Sequence, residues 1–412
     1  MEKKKIVIAG AGFGGITAAL KLAKKIGRLN EYEIILIDHH HHQLYTPALY
    51  EIAAIPRETA PGASLKSSIL IPIADIIVGR PIQFICDEIV GIDVAKKKIS
   101  LLKTGEITFE FLVLALGSET NYFDIPGLKE NSLVLKTYND AVKLRNKIEE
   151  AIKNRDGMKI VVVGGGASGV ELIAEFVNFI CALKKEVFKK ENLCKVEFVL
   201  LEAGPKILGG FEPWITKKAS HRLLKLGVQV KTGKTINSVD GRSLKLKDDD
   251  AESYDVLIWT GGVKGPAVLQ KFGLPLSNKG ALVVNDYLEV PSEDGKIFAI
   301  GDNSSLINPQ TGKALPWNVP VAESEGRIVA KNILCSISGR PLKPFVPLKK
   351  YPYILAVGGG YAISDLVFVR FSGFLGLAVK ALVELRYLLF ILPLGKALQT
   401  WFRALKYYSS ND

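Results

Sequence analysis

Four apolar residues in a row, Ile6 to Ala9, are followed by Gly10-Ala11-Gly12-Phe13-Gly14-Gly15. Apolar positions then recur at helical spacing from Ile16, and a second apolar run, Ile34 to Ile37, ends on Asp38. The pattern predicts strand, tight turn, helix and strand. Short strands are predicted at Ile82–Ile85, Ile89–Ile92 and Lys98–Leu102, and a buried one from Phe111 that runs through Ala115 to Gly117. Asp124-Ile125-Pro126-Gly127 marks a crossover, and Tyr138–Arg155 reads as a charged helix. The opening pattern then repeats. Lys159–Val163 is a strand, Gly164-Gly165-Gly166-Ala167-Ser168-Gly169 a turn, Val170 opens a long helix, and Val196–Leu201 is a strand ending on Glu202. Further strands are predicted at Val228–Thr232, Ser243–Leu246 and Tyr254–Trp259, the last running into Thr260-Gly261-Gly262. Another spans Lys296–Ile300 and ends in Gly301-Asp302, before a helix over Val321–Ser336.

The repeat predicts an α/β chain with two Rossmann-like dinucleotide-binding domains. The first is assembled from residues 1–120 and 291–345 and the second from 121–290, with 346–412 as a separate C-terminal region. In each G-x-G-x-x-G, one glycine makes the turn (Gly10, Gly164) and one lets the backbone approach a pyrophosphate (Gly12, Gly166). The third lets helix and strand pack closely (Gly15, Gly169). Phosphates then rest on the N-terminus of a helix, where unpaired N–H groups and the macrodipole favour negative charge. Asp38 and Glu202 close the second strand of each repeat, where a carboxylate binds ribose hydroxyls. Glu202 would also repel a 2′-phosphate, favouring NAD(H) over NADP(H), with nearby Lys206 softening that preference.

Composition narrows the setting. The chain has 412 residues, 48% hydrophobic, with a net charge of +12 and a mean hydropathy of +0.20. No apolar run reaches the ~18 residues needed to span a bilayer. Met1 to Lys5 lead directly into the first strand without room for a signal peptide, so a cytoplasmic chain is expected. Basic residues without aromatic interleaving point to an anionic membrane surface rather than nucleic acid. Cys86, Cys181, Cys194 and Cys335 lack metal-like spacing and read as free thiols. His39 to His42 follow Asp38 directly. With no companion ligands specified they read as part of a cofactor-lining loop that continues to Thr46-Pro47, and no metal site is assigned.

From Phe368 to Tyr408 apolar residues alternate with sparse cations (Arg370, Lys380, Arg386, Lys396, Arg403, Lys406), and Pro393 divides the stretch. Two helical pieces, each with an apolar and a cationic face, fit an interfacial anchor, with Trp401 and Tyr407-Tyr408 at headgroup level. The plainer readings are core packing or a homodimer face, and a dimer lying flat on a membrane satisfies both.

These residues together resemble the type II NADH dehydrogenases, single-subunit NADH:quinone oxidoreductases of the two-dinucleotide flavoprotein superfamily. The likeness runs from Ile8–Gly15 and the Asp38 loop through Leu44–Tyr50, Val162–Leu172, Glu202–Leu208, Trp259–Val263 and Gly301-Asp302 to the tail. It implies FAD in the first fold, at Gly10, Gly12, Phe13, Gly14, Gly15, Asp38, His39, Thr46, Pro47, Ala115 and Gly117. Gly301-Asp302 would hold the flavin ribityl chain, and the helix beginning at Val321-Ala322 would point at the flavin ring. NADH would lie in the second fold at Gly164, Gly166, Ala167, Gly169, Glu202, Gly261 and Gly262. The chain departs from the family where paired glutamines usually flank the quinone, and Pro320, Ser324 and Glu325 stand there instead. Glu171 is the expected functional acid, positioning the nicotinamide or taking part in proton delivery; the plainer reading is a helix-start carboxylate on the dipole. The implied activity is hydride transfer from NADH to FAD and two-electron delivery to quinone, at the cytoplasmic face of the membrane. Two rival readings are a sulfide:quinone oxidoreductase-like enzyme, which needs paired redox cysteines at the flavin, and an NADH-binding redox sensor with little turnover.

Overall fold

The computed structural model describes residues 3–27, 30–57, 62–154, 157–183, 195–292 and 295–408. Arg155, Lys184 and Cys194 lie outside the described residues, as do the side chains of Tyr407 and Tyr408.

Two five-stranded parallel sheets carry the molecule. In the first, Lys4–Ala9 sits at the centre, with Tyr32–Asp38 and then Ile82–Cys86 on one side. Phe111–Leu114 and then Ile297–Ala299 lie on the other. The second has the same plan. Gly157–Val163 is central, Lys195–Glu202 and Gln229–Thr232 lie on one side, and Val256–Trp259 and Leu133–Val134 on the other. The central strands are apolar without alternation because helices cover both faces of a parallel sheet. Each sheet is accompanied by a three-stranded antiparallel meander. The first holds Ile89–Asp93, Lys98–Leu101 and Gly105–Thr108; the second holds Ile236–Asp240, Ser243–Leu246 and Ala251–Ser253.

The outer strand of the first sheet, Ile297–Ala299, arrives only after the second fold is complete. The second fold is therefore inserted into the first, and the return strand delivers Gly301-Asp302 beside Gly117. Asn303 clasps the junction. Its amide donates to Leu114 O (3.0 Å), and its Oδ1 accepts from Gly117 N (3.3 Å).

The helix Val319–Ile337 crosses the first glycine helix, Phe13–Ile26, at close range. Gly326 permits the approach, since a Cβ there would lie 2.5 Å from Gly14 O. After it come an antiparallel sheet (Tyr353–Ala356, Ala362–Asp365, Arg370–Gly373) and two helices, Phe374–Ile391 and Leu394–Tyr408. The break falls at Pro393 as predicted, but the first tail helix starts at Phe374. Arg370 and its neighbours pair with Ala362–Asp365 instead of joining the helix.

The cations of the tail are turned to the body, not presented as a free basic face. Lys380 pairs with Glu51, Arg386 with Glu323 (3.7 Å) and Lys396 with Asp75. Arg403 donates to Ser67 Oγ (2.7 Å), and Arg370 lies 3.4 Å from Asp365. Trp401 is half-buried and donates its indole N–H to Ala381 O (2.8 Å), stapling one tail helix to the other. The exposed side of this region is apolar: Phe368 is 96% exposed, Phe374 75% and Leu394 66%, with Leu375, Leu382 and Phe402 also in solvent. No described helix is long and apolar enough to cross a membrane.

Candidate dinucleotide and acceptor sites

The two glycine turns superimpose in chemistry, residue for residue. Gly10 N donates to Ile37 O (2.7 Å) and Gly164 N to Leu201 O (2.8 Å), tying each turn to the neighbouring strand. Both first glycines have left-handed backbones, with φ of +107° and +111°. A Cβ on Gly10 would lie 2.2 Å from Ala115 O, and one on Gly164 2.7 Å from Thr260 C. Ala115 and Thr260 thus mark the closing strand of each fold at the mouth of its turn. A Cβ on Gly15 would lie 1.9 Å from Gly10 O, and one on Gly169 2.0 Å from Gly164 O, so helix and turn touch directly. Around Gly12 and Gly166 a Cβ would meet nothing within 4 Å. Both serve as N-caps without a side-chain capping bond, which leaves helix N–H groups open to an anion. Two cradles of this kind fit two dinucleotide pyrophosphates.

The strand-end acids take matching places. Asp38 Oδ2 accepts from Ala11 N (2.7 Å) and Oδ1 from His40 N (2.8 Å). Glu202 Oε2 accepts from Gly165 N and Oε1 from Gly204 N, each at 2.6 Å. Each carboxylate is thereby oriented across its turn, with a lone pair on each oxygen left for a ribose hydroxyl. Hydrogen bonds from His40 and Ala11 hold the Asp38 carboxyl below its ordinary value despite burial. His39 is exposed beside Asp38 (3.6 Å). Thr46-Pro47 form a one-turn 3-10 helix just beyond this loop.

A cavity of about 510 Å³ opens beside the second turn. It is lined by the expected Gly164, Glu202 and Gly261, and also by Phe123, Lys247 and Trp259. Phe123 and Trp259 meet edge-on at 6.2 Å, and Trp259 Nε1 donates to Asn121 O (2.8 Å). A Cβ at Gly261 would strike the Trp259 ring and one at Gly262 the Phe123 ring, which is why glycines follow this strand. Phe123 carried no motif signal; the crossover turn brings it in.

Asp302 accepts from Ser118 Oγ (2.8 Å), which in turn accepts from the buried Lys136 ammonium (2.7 Å). Val321 and Ala322 lie buried in the first turn of their helix, where Asn318 Oδ1 accepts from Val321 N (3.0 Å). Glu325 turns inward: Gly301 N donates to its carboxyl at 2.6 Å and Ser304 Oγ at 3.4 Å. Burial pushes it up to about 8. Ser324 donates to Pro320 O (2.7 Å) on its own helix, and both stay half-buried there. Of the three residues expected at the acceptor, Glu325 buttresses the Gly301-Asp302 turn. Glu171 faces the C-terminal sheet, where Ala356 N donates to it (3.3 Å), and burial raises it to about 8 against that bond. Cys86 and Cys335 are free thiols.

Sequence reasoning passed over a second polar group under the tail, made of Gln43, Tyr45, Glu384 and Tyr387. The signal was there: Glu384 is the lone acid in an eighteen-residue apolar helix.

The model of the pyridine nucleotide-disulphide oxidoreductase family matches residues 4–326. A type II NADH:quinone oxidoreductase of Haemophilus influenzae is 28% identical over 378 residues, covering 83% of this chain and 82% of that protein. The demethylphylloquinone reductase NdbB of Synechocystis is 28% identical over 398 residues, 93% and 92% of the two chains. Among solved structures, NDH2 from Plasmodium falciparum in complex with NADH aligns with a TM-score of 0.83 at 19% identity, covering 98% of both chains. The sulfide:quinone oxidoreductase of Aquifex aeolicus aligns at 0.77 and 19%, covering 96% of this chain and 92% of that one. These two structural likenesses speak to the fold.

Proposed function

The chain belongs to the pyridine nucleotide-disulphide oxidoreductase family, and on that premise we propose that it works as an FAD-dependent NADH:quinone oxidoreductase. The observation that carries this reading is the pair of matched cradles, Gly10–Gly15 with Asp38 and Gly164–Gly169 with Glu202, on two parallel sheets of one plan. The named relatives point to the same chemistry.

FAD belongs in the first cradle, with Gly12 and the helix N-terminus at the pyrophosphate, Asp38 at the adenosine ribose and Asp302 at the ribityl chain. When bound, it supplies the hydride acceptor for NADH and the electron donor for quinone. NADH belongs in the second, with Gly166 at the pyrophosphate and Glu202 at the ribose, its adenosine end toward the cavity of Phe123 and Trp259. Glu171, protonated near neutral pH by its burial, positions the nicotinamide end.

The tail docks the enzyme on a membrane as a monotopic anchor at the cytoplasmic face. Its exposed apolar side is larger than scattered surface leucines account for. Free thiols at Cys86 and Cys335 give no support to a disulfide-dependent sulfide oxidase.

Purified protein is expected to retain FAD, to bleach on anaerobic NADH addition, and to regain colour on adding a quinone. Bleaching without re-oxidation by any quinone would refute the acceptor assignment.

A further inference from the structure

Resting on the NADH:quinone reading above, we propose that Glu384, on the inner face of the first tail helix, supplies protons to the quinone through the hydroxyl of Tyr45. Reducing a quinone to a quinol takes two electrons and two protons, so a proton source must stand on the acceptor side.

Three rings join the flavin turn to the tail. Phe13, within the first glycine motif, lies 4.9 Å from Tyr387 and 5.9 Å from Tyr45, and the last two are 5.8 Å apart. Tyr387 is buried one turn beyond Glu384 and two turns beyond Lys380 on the tail helix. Into this aromatic wall Gln43 brings a buried amide. Its Nε2 donates to the Tyr387 hydroxyl, and its Oε1 has no partner. A buried acceptor of this kind costs stability unless a donor arrives, and a quinol O–H is such a donor.

Glu384 is 4% exposed. A buried carboxyl adds nothing that a leucine would not provide better, so its presence asks for a role. On its own helix, Lys380 is held by Glu51 and Arg386 lies against Glu323. Across from it, Glu323 is also bound by Arg327 (2.5 Å). Glu384 and Tyr387, three residues apart, are buried on one face of the helix, and Tyr387 packs against Tyr45; burial holds both tyrosines protonated. Glu384 itself remains buried among them. Burial raises it to about 7 against the pull of Lys380, where a proton donor works best at neutral pH.

In the step, the Tyr45 O–H breaks as the quinone O–H forms, and the Glu384 O–H breaks as the tyrosine is re-protonated. Glu384 then regains its proton from solvent. The electron pair and the other proton come from the hydride of NADH by way of the flavin.

Ferricyanide accepts electrons without protons, which separates the two halves of the reaction. Full-length, FAD-loaded protein is assayed for NADH oxidation with a short-chain quinone and with ferricyanide, at matched flavin content. In Glu384→Gln and in Tyr45→Phe, the ratio of quinone to ferricyanide turnover is expected to fall tenfold or more. The inflection near pH 7 in the quinone kcat should vanish, and Glu384→Asp should recover part of the ratio. A ratio equal to wild type, or equal losses with both acceptors, overturns the proposal. Absence of quinone turnover in the wild-type protein instead overturns the functional reading on which it rests.

Discussion

The buried carboxyl of Glu325 makes the stability of this protein depend on pH in an unusual direction. Its carboxyl accepts from Gly301 N at 2.6 Å and from Ser304 Oγ at 3.4 Å, and only 1% of the residue reaches solvent. Burial is the largest influence on it and carries it from 4.5 to about 8, against both hydrogen bonds. A folded state that holds its proton more tightly than the unfolded chain loses stability as pH rises between those two values. Stability from this group is complete below about pH 4.5, declines through neutrality, and is gone above about pH 8. Each tenfold change in proton affinity is worth about 1.4 kcal/mol, so the whole span is on the order of 5 kcal/mol. Water reaching the charged carboxylate brings the realised figure to about half of that ceiling.

Glu325→Gln keeps an amide oxygen for Gly301 N and removes the titration. The variant should match the wild type within about 1 kcal/mol at pH 5 and exceed it by about 2 kcal/mol at pH 8.5. The assay is urea unfolding of FAD-loaded protein at pH 5, 7 and 8.5, followed by both flavin and tryptophan fluorescence. Parallel pH slopes for variant and wild type would refute the reasoning, since they would place the titrating group elsewhere.

The glycine turns offer a sharper contrast. Gly12→Ala, whose Cβ meets open space, should leave the fold intact and weaken FAD retention at least tenfold in equilibrium dialysis. Gly15→Ala, which meets Gly10 O at 1.9 Å, should destabilise the first fold by 3 kcal/mol or more on the order of magnitude of overpacking, visible as a lost unfolding transition. Breaking the Lys380–Glu51 pair with Lys380→Met should cost about 3–5 kcal/mol by leaving a buried carboxylate alone. The double change Lys380→Met, Glu51→Leu should recover most of it in thermal melts. Because the tail cations face the body and its solvent side is apolar, vesicle binding should survive 1 M salt and fail after Phe374→Ser with Leu375→Ser in flotation assays. Release by salt alone would show that charge holds the tail to lipid.

What the sequence determined by itself is what short-range sterics determine. Gly10 and Gly164 are required by a left-handed turn, and Gly15 and Gly169 by close contact with that same turn, so the motif announces both cradles and the acids that close their strands. The apolar runs likewise specify a twice-repeated parallel sheet. Other features depend on partners distant in the chain, and only the tertiary structure decided them. Glu325, expected at the acceptor, is drawn under Gly301 because the return strand after the inserted fold leaves that backbone N–H facing it. Lys380 and Lys396, read as part of the cationic face of an interfacial anchor, find Glu51 and Asp75 at separations of 329 and 321 residues. Helical periodicity reports that two faces differ, but not which one meets the protein. That choice follows from where buried carboxylates wait for a cation, since an unpaired charge inside costs more than apolar side chains outside.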